Sequence, residues 1–182
     1  MLLSRRFRKV CELLFFGANE LSWASPTLVL WDETVSEKTA LGKIASNRFS
    51  EGYNCAQSVL MTMFEHWNGK NVLIPKIATG FGGGIGRCGS LCGALAGGVM
   101  AIGIKYGPND TSARKRLKTY EVAQDFYKKF EKRHGSVLCR ELIGYDLSDP
   151  DDLEKAREAK VFDKKCAKLV QTAIELLVEL TE

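Results

Sequence analysis

Four small residues, Gly89, Gly93, Gly97 and Ala101, recur every fourth position downstream of the glycine-dense run Gly80-Phe81-Gly82-Gly83-Gly84-Ile85-Gly86. On a helix, positions four apart lie one above the other, so this spacing predicts a helix over 88–106 with one smooth stripe. A stripe without side chains admits another backbone unusually closely. The neighbouring stripe is Cys88, Cys92, Ala96 and Met100, which places two cysteines beside the expected close contact. The same segment holds the most apolar run of the chain, 91–104, but glycines break it and it is too short to cross a bilayer. No run of 18 apolar residues occurs anywhere, so no integral membrane segment is expected.

The rest of the chain reads as helices. Ala40, Ile44, Ala45 and Phe49 follow helical spacing and Gly52 supplies the stop. Asn54 and Gln57 stand in capping-box register before Val59, Leu60, Met63, Phe64 and Trp67, and Asn68-Gly69 ends that helix. Asn109 or Asp110 is placed to cap a helix over 111–134, with Leu117, Tyr120, Phe126, Tyr127 and Phe130 as its buried side and a basic, solvated opposite face. Ser136 is placed to cap a short helix that includes Cys139. Asp149-Pro150-Asp151-Asp152 has cap, proline and first-turn acids in order. A last helix over 163–180 carries the stripe Cys166, Leu169, Val170, Ala173, Leu176, Leu177 and Leu180. No segment alternates as a strand. The expectation is an all-α fold, a compact bundle of about five to seven helices with a glycine-rich central helix. Residues 37–182 form the helical domain, and residues 1–36 are an N-terminal extension whose basic start and apolar run superficially resemble a signal peptide. Glu12 interrupts that run, and no small-residue cleavage site follows.

Chemistry narrows to sulfur. At 182 residues with 45% apolar and 26% charged positions, the chain can bury a core without disulfide staples. The net charge of +4 lacks the density of a nucleic-acid footprint, so no nucleic-acid partner is expected. Gly84-Ile85-Gly86-Arg87-Cys88-Gly89 matches G-x-G-x-x-G without the βαβ context that dinucleotide binding requires, so turn formation and packing are its default. Anion binding by its amides beside Arg87 stays open. His66 and His134 lie near helix C-termini, where cationic imidazoles suit the dipole. That leaves six cysteines, of which Cys11 is isolated in the extension. Cys88 and Cys92, four apart, would share a helix face and suit a common metal. Cys55 and Cys139 fall in helix first turns, where the positive end of the dipole favours a thiolate. Cys92 and Cys166 fall on buried faces, inert unless paired or metal-bound.

The segments Gly52-Tyr53-Asn54-Cys55-Ala56-Gln57-Ser58-Val59-Leu60, Gly80 through Arg87, Cys92-Gly93-Ala94 to Gly97, Ile102-Gly103-Ile104-Lys105-Tyr106-Gly107, Cys139-Arg140-Glu141-Leu142-Ile143-Gly144 and finally Cys166 resemble, in order and spacing, the C_GCAxxG_C_C family of redox-active proteins. The resemblance covers residues 36–182 and implies a small helical protein whose four shared cysteines are redox-active, here Cys55, Cys92, Cys139 and Cys166. Cys88 falls outside the shared four. Related sequence occurs in split-Soret cytochromes, but no C-x-x-C-H is present to attach haem. Three readings follow. The first is a thiol-dependent oxidoreductase or electron carrier, with Cys55 as the lower-pKa attacking thiolate and a redox partner protein. In the second, the same four cysteines bind zinc or an iron–sulfur cluster, with Cys88 as a spare ligand. The third is a non-catalytic helical interaction module. A cytoplasmic location is expected, and a homo-oligomer is left open.

Overall fold

Caps written into the sequence mark most helix boundaries in the computed structural model, which describes the backbone of residues 26–182 and the side chains of residues 37–182. The signal-like run, Cys11 and most of the expected extension lie outside the described residues. Residues Glu33–Glu182 make one compact unit. Of the other unit, Met1–Asp32, only the helical backbone from Pro26 is described. Among the described residues the fold is all-α, with eight α-helices and no β-strand beyond one isolated antiparallel bridge, Leu91 to Leu138.

Helix α1 (Pro26–Ser50) begins well before the expected boundary at residue 36. Its buried side is Leu41 and Ala45 with Phe49 partly covered; Ala40 and Ile44, expected inside, face outward one step around the helix. It stops where Gly52 takes a φ of 106°, a left-handed turn that returns the Gly52 and Tyr53 amides to the carbonyls of Phe49 and Arg48. Helix α2 (Cys55–His66) has the full capping box expected of it. The Asn54 side chain accepts from the amides of Ala56 and Gln57, and Gln57 Oε1 accepts from the Asn54 amide, each at 3.0 Å. The spare donors of the same box reach outward: Asn54 Nδ2 donates to the Thr79 carbonyl (2.8 Å) and Gln57 Nε2 to the Pro75 carbonyl (2.9 Å). This ties the start of α2 to α3 (Ile74–Ile77) and the 3₁₀ turn Thr79–Phe81.

Helix α4 (Gly93–Tyr106) starts later than its glycine spacing predicts, because residues 82–92 form a separate coil. The close contact nevertheless survives within it. A Cβ on Gly97 would stand 2.5 Å from the Ala56 carbonyl oxygen, and one on Gly93 would stand 2.9 Å from the Phe81 oxygen and 3.1 Å from Cys55 Cβ. Helix α4 therefore lies backbone to backbone on α2, and it also packs on α5 (Ala113–His134) and α8 (Ala167–Thr181). Ser112, rather than Asn109 or Asp110, caps α5, its hydroxyl accepting from the Lys115 amide. Only Phe126 and Phe130 of its expected buried side are fully covered; Leu117, Tyr120 and Tyr127 are exposed, while Val122 and Ala123 pack partly against the core instead.

Helix α6 (Cys139–Ile143) is capped at Leu138 without a side-chain bond; Ser136 instead accepts from the Leu138 amide, making a turn. Helix α7 (Pro150–Glu158) follows its signal, with Asp149 Oδ1 accepting from the Asp152 amide at 2.8 Å. The chain then enters α8 through a π turn, Phe162–Cys166, in which the Ala167 amide bonds five residues back to Phe162. The core divides accordingly. A large cluster gathers Val59, Leu60, Met63, Leu95, Ile102, Phe126, Phe130, Val170 and Leu177; a smaller one gathers Cys139, Ile143, Leu147, Ala156, Val161 and Cys166.

The helix contact has a direct test. Gly97→Leu should lower the unfolding free energy by about 1–3 kcal/mol or more, as overpacking does. Gly103→Ala, whose added Cβ meets nothing within 4 Å, should be neutral or stabilising by up to about 1 kcal/mol. Equal stability of Gly97→Leu and the parent in chemical denaturation would contradict the contact.

Candidate functional site

The four cysteines meet at the seam between the two clusters. Cys92 belongs to the large cluster, Cys139 and Cys166 belong to the small one, and Cys55 packs against both. Helix starts hold three of them: Cys55 is the first residue of α2, Cys92 is the cap of α4 and Cys139 is the first residue of α6. Cys166 closes the π turn ahead of α8, a local widening of the helix that often marks a functional position. Cys92, Cys139 and Cys166 are buried and Cys55 is half-buried.

A coil of left-handed residues clamps these starts together. Gly83, Gly84, Ile85, Gly86 and Arg87 all have φ between 57° and 72°. Glycine accepts this geometry, but for Ile85 and Arg87 it costs about 1–2 kcal/mol each. Amides of Gly86, Arg87, Gly89 and Ser90 hold the coil by bonding back to the carbonyls of Gly80, Gly82, Gly83 and Gly84. Its outgoing end is sewn to α6. Cys139 N donates to Ser90 O (2.6 Å), Arg140 N to Gly89 O (3.0 Å) and Cys92 N to Val137 O (2.8 Å) around the Leu91–Leu138 bridge. Two of the first amides of α6 are thus satisfied by the coil, and Gly84 is compulsory: a Cβ there would lie 2.6 Å from Cys139 Cβ.

Above the seam opens a cleft of about 630 Å³ whose lining includes Cys55, Cys139 and Cys166. Phe49, Leu147, Leu153 and Phe162 form apolar walls, and Arg87, Arg157, Asn54 and Thr79 supply polar groups. Cys92 lies outside that lining, behind it in the large cluster. Cys88, expected to share a helix face with Cys92, is instead exposed in the coil, because the positive φ of Gly89 and the bridge at Leu91 prevent the helix from reaching back to it.

The electrostatics reverse the expected roles. Interaction with the neighbouring Cys166 thiol, then burial, holds the Cys55 pKa well above the usual thiol value. The same interaction holds the Cys166 pKa down, with the Lys165 charge assisting. The lowered thiol of the pair is therefore Cys166, and not Cys55 at the first turn of α2. Burial pushes Cys139 up to about 12, against the thiolate expected from its first-turn position, and α6 is too short to oppose it. Burial also pushes Cys92 up to about 11, despite the Leu95 and Ala94 amides that pull the other way. No three of these sulfurs lie mutually within 4.8 Å among the described residues. A mononuclear tetrahedral site, with metal–sulfur bonds of about 2.3 Å, needs them closer, so the sulfurs as placed do not fit one.

The histidines stand apart from this site. His134 packs against Phe130 with its ring tilted (4.7 Å between centroids) and burial lowers its pKa, so it favours the neutral ring rather than the expected cation. His66 Nε2 lies 2.5 Å from Glu182 Oε1, with a Glu37 carboxylate oxygen also nearby, a grouping of chain-distant residues that no spacing rule reveals. The sequence reading also missed Arg157 and the π turn; neither carries a motif.

Residues 53–180 match the family described as "Putative redox-active protein (C_GCAxxG_C_C)". The chain belongs to the C_GCAxxG_C_C family. A relative from Archaeoglobus fulgidus, itself described as an "Uncharacterized protein", is 29% identical over 136 residues, covering 70% of this chain and 83% of its own. No solved structure matches. The C_GCAxxG_C_C match takes in all four cysteines of the seam, and no helix among the described residues is long and apolar enough to cross a membrane.

The raised thiols predict a pH dependence. Above pH 9 an unfolded Cys92 or Cys139 loses its proton while the folded one keeps it up to about 11 and 12 respectively. The unfolded state then binds fewer protons, so unfolding free energy must fall as pH rises through that window. In a Cys92→Ala/Cys139→Ala protein the fall between pH 9 and 11 should be shallower. Parallel slopes for parent and variant would show that these thiols are not protected in the folded state.

Proposed function

We propose that this C_GCAxxG_C_C protein is a thiol-dependent oxidoreductase whose working couple is the dithiol Cys55–Cys166. What supports this is one observation above all: two cysteines from distant parts of the chain line the same open cleft, and their interaction raises one thiol pKa and lowers the other. The Cys166 thiolate attacks one sulfur of a substrate disulfide, and the substrate's other sulfur leaves as a thiolate that takes up a proton. Cys55 gives up its proton and attacks Cys166 Sγ, releasing the second substrate thiol and leaving a Cys55–Cys166 disulfide. Two protein thiols are oxidised and one substrate disulfide is reduced to two thiols; a redox partner protein carrying a dithiol restores the starting state by the reverse exchange. Cys139, in the same cleft, and Cys92, behind it, form a reserve of neutral thiols within the same cluster of charges-to-be. A dithiol kept reduced between turnovers suits a reducing compartment such as the cytoplasm.

Anaerobically purified chain, titrated for thiols after equilibration with dithiol/disulfide buffers, should show one reversible two-electron couple. Cys55→Ser and Cys166→Ser should each abolish it, and Cys88→Ser should leave it intact. Stoichiometric iron or zinc that shields the thiols until it is removed would overturn the dithiol reading in favour of a cluster or metal site. Loss of stability alone in the Cys55→Ser and Cys166→Ser proteins, with the couple unchanged, would favour an interaction module.

A further inference from the structure

The cleft over the cysteines carries two positive charges that the exchange chemistry does not use. Arg87 and Arg157 both line it, and its lining residues include no carboxylate. Arg87 is exposed, and its side chain makes no hydrogen bond or ion pair among the described residues. Its backbone is held at a φ of 70° in a coil where the neighbouring left-handed positions are mostly glycine. Glycine would be relaxed there, so the strain is tolerated for the sake of the side chain. That side chain runs back over the coil, since a Cβ on Gly83 would lie 3.1 Å from Arg87 Cγ. Arg157 holds only Glu154, three residues away on the same helix surface at 2.9 Å, both side chains more than half exposed. An exposed pair of this kind is weak and exchanges readily for another anion. Phe49, Leu147, Leu153 and Phe162 give the rest of the cleft an apolar lining. The volume of about 630 Å³ suits a small molecule.

We infer that the cleft selects a small disulfide bearing carboxylates, with Arg87 and Arg157 gripping the carboxylates while the disulfide sulfur meets Cys166. This rests on the dithiol reading above and adds the substrate class to it. The chemistry is unchanged: one substrate S–S bond breaks, the Cys55–Cys166 bond forms, and two carboxylate-bearing thiols leave. Guanidinium groups suit the task because each offers a planar fork of donors to a carboxylate and stays charged at any working pH.

The test compares three disulfides of similar size on the full reduced chain at neutral pH: 3,3′-dithiodipropionate, which is anionic, bis(2-hydroxyethyl) disulfide, which is neutral, and cystamine, which is cationic. A free thiolate reacts more slowly with an anionic disulfide than with a neutral one, because like charges repel. The cleft should invert that order, giving the dicarboxylate a rate constant about tenfold or more above the neutral probe at low ionic strength, with the advantage shrinking as salt is added. Arg87→Gly removes the charge and relieves the strained backbone at once, so it folds. Arg87→Gly and Arg157→Gln should each lower the anionic-to-neutral ratio, and together bring it to one or below. A dicarboxylate no faster than the neutral probe, or a ratio that survives the double substitution, overturns the substrate assignment while leaving the dithiol reading in place. Failure of all three probes to oxidise the chain overturns both.

Discussion

The close approach of α4 to α2 is the constraint on which the site depends. Gly93 and Gly97 let the α4 backbone rest on Ala56 and Cys55, with no room for a Cβ at Gly97 against the Ala56 carbonyl. Cys55 begins one of these helices and Cys92 caps the other, so the contact that packs the bundle also brings two of the four sulfurs to one place. Wider spacing between the helices would open a gap under the cleft and separate the large cluster from the small one. The glycines here serve distance first and conformation second.

Burial decides the character of the sulfurs more than helix position does. A helix N-terminus stabilises a thiolate by a fraction of what burial in an apolar seam costs it. Cys139 shows the balance most plainly, at the start of a five-residue helix yet pushed up to about 12. Only through interaction with a second thiol does one sulfur gain, and that sulfur is Cys166. The π turn places it there: an unwidened helix would carry the residues after Phe162 around by a different angle, while the inward stripe from Leu169 to Leu177 continues undisturbed. The strained coil at residues 83–87 performs the complementary task, closing over Cys139 and bringing Arg87 to the cleft.

Much of this was legible in the sequence where the signal is local. The capping box at Asn54 and Gln57, the proline and acids opening α7, and the inward stripe of α8 are all present as their spacing requires. The four cysteines could be named from a resemblance, because order and spacing along a chain carry that information. One inference failed by extending a periodicity through a glycine. The every-fourth-residue pattern runs on to Gly89 and Cys88, but Gly89 turns left-handed and the helix begins at Gly93, so Cys88 leaves the site. Leu117 and Tyr120 fit the α5 stripe and stay exposed, because α5 turns Val122, Ala123, Phe126 and Phe130 to the bundle instead. Arg157, the convergence of Cys55 and Cys166 on one cleft and the order of thiol acidities depend on tertiary proximity and burial, which no spacing along one element encodes.

The central claim is that Cys55 and Cys166, far apart in the chain, form the working pair. Mild stoichiometric oxidation of the reduced protein, followed by blocking of free thiols, proteolysis and mass spectrometry, reads the pairing directly. The account predicts a peptide bearing Cys55 linked to one bearing Cys166, with Cys92 and Cys139 recovered blocked as free thiols. A first-formed link between Cys92 and Cys139, or one that engages Cys88, would contradict it.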